Sequence, residues 1–205
     1  MSIESSSAYP VQVSASMPKR FERVQVLLRI GIWFVLGWLS QAVLSILFFG
    51  GPIITAALIA QNGGAEFHKR HGATYAKVVR FLTQFQGYML VGTDALPSWD
   101  KPGPIDYECK FTGEPTIGSA LLRFIMVIPQ AIALAVVGFV AILLAVVAAI
   151  MVLVNESVGR EIWRFQLGVV AWQARVISYY LSLVEEYPPF SLAVNELDET
   201  QEAGN

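Results

Sequence analysis

From Phe124 to Asn155 the chain reads FIMVIPQAIALAVVGFVAILLAVVAAIMVLVN, with no Asp, Glu, Lys, Arg or His. Hydrocarbon is the natural solvent of such a run. A bilayer core about 30 Å thick asks for roughly 20 apolar residues per helical crossing, so this stretch overshoots one crossing and nearly suffices for two. A second uncharged run extends from Ile30 to Ala65. Together they predict an integral membrane protein of the all-α class. Composition agrees: 15% of residues are charged, against about 25% in a typical soluble domain. A formal charge of -2 offers no basic excess for phosphate backbones, so no nucleic-acid partner is expected. The single Cys109 excludes an intramolecular disulfide and a thiolate metal cage.

The rest of the chain is organised around these runs. Residues 1–8 read as a disordered lead. Tyr9 to Val13 alternates apolar and polar as a half-buried strand does, and Pro18-Lys19-Arg20-Phe21-Glu22-Arg23 forms a basic approach to Leu27-Leu28-Arg29. The first run is interrupted at Gly50-Gly51-Pro52, which predicts a kink or break. Ala65 to Gly92 carries apolar residues at helical spacing, interleaved with Lys69, Arg70, Lys77 and Arg80, and reads as an amphipathic interfacial helix. The plan then starts again. Ile105 to Phe111 alternates like a strand, Leu121-Leu122-Arg123 echoes Leu27-Leu28-Arg29, and Arg160 to Leu183 repeats the amphipathic helix with Arg164 and Arg175. Trp163 and Trp172 on it fit an interfacial aromatic belt. The offset is 94 residues at the Leu-Leu-Arg and 91 at Tyr88/Tyr179. Two tandem pseudo-symmetric repeats, 9–101 and 102–194, are therefore expected. Each holds a short β-strand, a long hydrophobic hairpin or re-entrant or kinked helix, and an interfacial helix. An acidic, disordered tail is expected at 195–205.

Charge then predicts topology. Basic residues flank both ends of both apolar runs, and positive flanks prefer the cytoplasm, so each run is expected to begin and end there. That requires an even number of crossings. Hairpins turning near Ser40-Gln41 and near Gly138 would satisfy it, and a single long tilted helix per run is the rival.

Several of these segments carry a likeness. Tyr9-Pro10-Val11, the stretch from Pro18 to Arg29, Ile128-Pro129, Gly159-Arg160, Trp172-Gln173-Ala174-Arg175-Val176 leading to Tyr179, and Tyr187-Pro188-Pro189-Phe190 resemble the bacterial membrane family numbered 4389 among the domains of unknown function. The likeness runs once per copy and is clearest in the second half. Where the family carries two arginines four apart before the tyrosine, copy one keeps Arg80 and has Gln84, while copy two has Ala171 and keeps Arg175. The resemblance implies a bacterial inner-membrane protein; with the basic flanks, a multi-pass protein with termini and interfacial helices cytoplasmic is expected. It transfers no active site.

Candidate chemistry is sparse. His68 and His71 beside Glu66 have ligand spacing, but they sit among Lys69 and Arg70 without a third strong ligand, and a surface basic cluster reads better than a metal site. Phosphate loops, nucleophile elbows and paired carboxylates do not occur, so neither an enzyme nor a cofactor is expected. Arg29 and Arg123, just inside the runs, read as lipid-contacting, together with Lys69, Arg70, Lys77, Arg80, Arg164, Arg175, Trp163 and Trp172. The polar Ser40, Gln41, Ser45 and Thr55 of the first run have only Gln130 as a counterpart in the second, and helix-to-helix glue is favoured over a pore. The reading is a structural or accessory scaffold subunit contacting anionic lipid and another membrane protein or a second copy. The alternative is an oligomeric small channel or transporter component.

Overall fold

The computed structural model describes residues 9–101 and 103–196, and for residues 36–47 and 195–196 the backbone alone. The expected disordered lead at 1–8 and most of the acidic tail lie outside the described residues, as do the side chains of Ser40, Gln41 and Ser45. In chain order the elements are β1 (Val11–Ala15), α1 (Arg23–Asn62), α2 (Gly64–Phe67), a π-helical turn (His68–Gly72), α3 (Ala73–Met89), β2 (Ile105–Cys109), α4 (Ile117–Met126), α5 (Ile128–Asn155), α6 (Arg160–Tyr180) and β3 (Asn195–Glu196). The fold is mostly helical, with one small sheet.

The apolar runs form no hairpins. α1 continues through Ser40 and Gln41, and also through Gly50-Gly51-Pro52, as one helix of 40 residues. α5 continues through Gly138. The physical reason is the backbone. A turn inside either run would strand several N–H and C=O groups in apolar surroundings, whereas an unbroken helix satisfies them internally. The second run does divide, at Val127 between α4 and α5, and Pro129 there occupies the first turn of α5, where a missing N–H costs nothing.

The elements stack in three layers. The sheet has the order β2-β1-β3, with β1 antiparallel to β2 in the register Val13↔Tyr107. Val11, Val13, Ala15, Ile105 and Tyr107 point inward and are buried, whereas Gln12, Ser14, Asp106 and Glu108 occupy the alternate, outward positions. Asn195 and Glu196, the first two residues of the expected tail, pair instead with Ser14 and Ala15 as a strand.

The middle layer is α3 and α6, which run antiparallel. Trp163 Nε1 donates to Gly92 O at 2.9 Å at one end, and His68 Nε2 meets Ser182 O at 2.9 Å at the other. On α6, Ser178 Oγ hydrogen-bonds the Tyr107 hydroxyl at 2.7 Å and Arg175 borders β1, while Val169 and Gln173 border α5. On α3, Gly87 and Ala76 meet β2, while Phe85 and Met89 border α5. At 100° per residue these sets lie on opposite sides of each helix, so the sheet covers one side of the middle layer and the apolar helices the other. α1 and α5 run antiparallel in that third layer: Arg23 reaches Glu156 at one end of the pair, and Phe48 packs on Phe124 at the α4 end.

Of the two amphipathic helices, α6 is thus interior to the protein, while α3 is buried only in part. α6 has buried residues along nearly its whole length, and its apolar face is covered by protein on both sides. Close approach needs small residues there. A Cβ on Gly168 would lie 2.5 Å from Leu192 O, whereas one on Gly138 would meet nothing within 4 Å. Gly168→Ala is expected to cost about 1–3 kcal/mol through overpacking. Gly138→Ala is expected to be neutral or to gain up to about 1 kcal/mol of helix propensity. Thermal unfolding of the two variants in detergent checks the contrast.

Candidate membrane-contacting face

The outer side of α1, α4 and α5 is the largest exposed apolar surface of the described residues. In α1 it includes Val24, Leu27, Trp33, Phe34, Ile53 and Ile54, in α4 Leu121, Leu122 and Ile125, and in α5 Ile132, Val136, Phe139, Leu143, Ile150 and Val154. The α5 members recur at helical spacing and cover one broad face, while Gln130, Ala141, Ala148 and Val152 on the other side are buried. α5 is also the one helix of the described residues long and apolar enough to cross a bilayer. The paired crossings expected of a multi-pass protein find no support in that inventory.

Polarity is inverted at the two Leu-Leu-Arg sites. Leu27 is 64% exposed and Arg29 5%; Leu122 is 55% exposed and Arg123 5%. Arg29 donates from Nε to Tyr88 O and from Nη2 to Thr93 O and Asp94 Oδ1, each at 2.7 Å, and its guanidinium carbon lies 4.6 Å from the centre of the Tyr88 ring. Arg123 donates from Nη1 to Tyr179 O and Val184 O at 2.7 Å and lies 4.7 Å from the Tyr179 ring centre. Each arginine therefore caps the C-terminus of a middle-layer helix, where carbonyls lack helical partners and the helix dipole is negative. The caps match closely. Leu90 and Leu181 have φ/ψ of -85°/14° and -83°/9°, and the next residues, Val91 and Ser182, both have φ of 60°.

Arg29 and Arg123 are thus not placed to contact lipid: both guanidinium groups are turned inward on main-chain carbonyls. Arg175 is corrected in the same way. It is buried and donates to Ser191 O at 2.8 Å and to Ala193 O, pinning the segment that leads to β3. Trp163 and Trp172 are buried as well. Trp163 donates to Gly92 O, and Trp172 donates to Gln130 Oε1 at 2.8 Å, while Gln130 Nε2 donates to Pro188 O at 2.6 Å. No aromatic belt forms at either tryptophan, and Gln130 acts as glue between α5, α6 and the Tyr187-Pro188-Pro189-Phe190 loop. Thr55 does the same on α1 through the Tyr75 hydroxyl at 3.4 Å.

Lys69, Arg70, Lys77 and Arg164 remain exposed and Arg80 half-exposed. Lys69 and Arg70 flank Glu66, at 3.0 and 3.5 Å, and Arg164 stands 3.7 Å from Glu161. The Lys69 hydrogen bond, with the charges of Lys69 and Arg70, holds the Glu66 carboxyl below the usual carboxylate range. These bases lie at the two ends of the apolar layer: Lys69 and Arg70 beside the end of α1, and Arg160 and Arg164 where α5 hands over to α6 with Arg20 and Arg23. Between α3 and α5, over α6, opens an apolar cleft of about 510 Å³ lined by residues such as Phe85, Met89, Leu134, Gly138 and Val169.

His68 and His71 do not converge with Glu66 on a vacant point. His68 is occupied by Ser182 O and stacks on Phe111, and no group of three His, Cys, Asp or Glu side chains able to hold a metal occurs among the described residues. The partners of the arginines, Tyr88, Tyr179 and Asp94, escape a residue-by-residue reading. Their signal is the repeat itself, because Glu185 follows Tyr179 at the spacing by which Asp94 follows Tyr88.

Residues 118–191 match a protein family described as Domain of unknown function (DUF4389). That segment contains α5, α6 and the second arginine cap. Comparison with curated proteins and with solved structures finds no match.

The arginine caps make a direct prediction. Arg29→Met removes the ion-pair partner of Asp94, which keeps only the Glu22 N–H, and a donor from the Tyr88 and Thr93 carbonyls, and is expected to cost about 3–5 kcal/mol. Arg123→Met, whose cap has no ion pair of this kind, costs less, and Lys77→Gln on the surface stays within about 0.5 kcal/mol. Denaturant or thermal unfolding in detergent orders the three.

Proposed function

We propose that the chain is a non-enzymatic membrane protein that serves as a structural or accessory subunit. Its anchor is the outer face of α1, α4 and α5, and anionic lipid gathers at its basic ends. One observation carries this reading: at two matched sites the leucines face out and the arginine faces in, the reverse of a water-soluble surface. An apolar face of this extent on a monomer calls for lipid or another protein to cover it. A bacterial cytoplasmic membrane is the compartment that the family likeness suggests.

The same reading includes an origin by duplication, with units 9–101 and 102–194. What supports it is the pairing of matched parts: β1 with β2, α3 beside α6, and two arginine caps with the same backbone turn. A channel role has less support. The buried polar side chains Gln130, Gln166 and Thr55 bond to helix or loop partners instead of lining a common path.

The test is lipid analysis after gentle purification. A variant combining Lys69→Gln, Arg70→Gln and Arg164→Gln removes three surface charges, each worth about 1 kcal/mol near an anionic headgroup. It is expected to lose most co-purifying phosphatidylglycerol while its melting temperature stays within a few degrees of the parent. Unchanged lipid content defeats the anionic-lipid part of the proposal. Ion flux from reconstituted vesicles above that of empty ones favours the channel instead.

A further inference from the structure

We propose that the apolar layer lies flat in a single leaflet. On this arrangement α1, α4 and α5 run parallel to the membrane plane within the hydrocarbon of one leaflet, the α3–α6 layer sits at the headgroups, and the sheet faces water. No helix crosses. The inference rests on the reading of the outer face as lipid-facing and fixes its orientation.

The length of the face argues against crossing. Among the described side chains, exposed apolar groups lie along α1 at 24–35 and again at 48–54, and along α4 and α5 from Ile117 to Val154. At 1.5 Å per residue α1 alone is about 60 Å long, twice a hydrocarbon core. An upright orientation buries only part of this face in lipid and leaves the remainder in water.

The sheet argues the same way. It packs across the middle of α3 and α6, on the side opposite α5, and turns Gln12, Ser14, Asp106 and Glu108 outward. An upright α5 carries this polar surface to the depth of the bilayer. β2 is also an edge strand, and open backbone edges do not occur against lipid. Laid flat, the apolar layer is one helix thick, about 10 Å, and fits within one leaflet's share of about 15 Å.

Charge completes the argument. Because α3 and α6 are antiparallel, Lys69 and Arg70 lie at one end of the body and Arg160 and Arg164 at the other. An upright body puts these basic ends on opposite sides of the membrane, against the preference of both for the cytoplasm. A flat body brings both to one headgroup surface and meets the requirement for an even number of crossings with zero. An isolated in-plane helix must supply its own polar face. Here α6, α3 and the sheet supply it, so α5 needs no charged face of its own.

Spin labels measure the orientation in the full chain. Cys109 is replaced by Ser first, since it is the one native thiol. Ile132→Cys, Phe139→Cys, Leu143→Cys, Ile150→Cys and Val154→Cys place labels along the outer stripe of α5, and Gln12→Cys and Glu108→Cys place them on the sheet. Collision with oxygen against a water-soluble nickel chelate reports depth in phosphatidylethanolamine–phosphatidylglycerol vesicles. The expected result is five α5 labels at one shallow depth, about 5–10 Å below the headgroups, with both sheet labels in water. Depth that rises to a maximum near Leu143 and falls again, over the roughly 33 Å from Ile132 to Val154, overturns the flat orientation and leaves the membrane reading standing. Five labels with no excess of oxygen collisions overturn both, because a second copy or another protein then covers the face. In sealed vesicles a membrane-impermeant maleimide is expected to reach Arg70→Cys and Arg160→Cys from the same side. Reaction from opposite sides overturns the flat orientation independently.

Discussion

A carbonyl without a hydrogen-bond donor is costly wherever water is scarce, and the C-termini of α3 and α6 end where the apolar layer shuts water out. The structure meets that cost twice with one device: an arginine of an apolar helix, Arg29 near the start of α1 and Arg123 in the last turn of α4, reaches inward to carbonyls at the end of a middle-layer helix. The ring of Tyr88 or Tyr179 stacks on the guanidinium, which desolvates it and adds a cation–π contact. Both arginines tie the apolar layer to the rest of the protein, alongside the hydrogen bonds of Gln130, Gln166 and Thr55. Asp94 makes the first cap a buried ion pair, whose value depends on keeping both members.

Between those caps the layers are joined by small residues and a few amide side chains. Ala141 and Ala148 let α5 approach α6, where Gln166 donates to Ala141 O and Trp172 to Gln130. Gly168 admits the backbone of Leu192 on the other side of α6. Close packing of this kind is the main attraction available between helices when their surroundings are as apolar as their side chains. It explains why α6, with charged residues near both ends, can form the centre of the molecule.

The arrangement turns a run of hydrophobic sequence into a surface. α5 alone satisfies every compositional requirement of a spanning helix, yet one of its faces belongs to the protein, and the polar sheet two layers away shares its orientation. The described residues thus present an apolar side and, two layers away, a polar sheet, with basic residues at both ends of the apolar layer.

Much of this was determined by the sequence alone. Thirty or more consecutive uncharged residues dictate an apolar environment, and alternation at Tyr9 to Val13 and at Ile105 to Phe111 points to strands, which form slightly displaced at Val11–Ala15 and Ile105–Cys109, because hydropathy and side-chain period are local properties. The matched Leu-Leu-Arg and tyrosine spacings made the two halves legible as well. Tertiary structure decided what those residues face. Arg29, Arg123, Arg175, Trp163 and Trp172 carry the chemistry of lipid-contacting residues, but their direction depends on which carbonyls other elements bring within reach, tens of residues away in the chain. The absence of hairpins was likewise decided by partners. A helix bends or turns where its backbone finds other hydrogen bonds, and α1 and α5 keep theirs within the helix throughout.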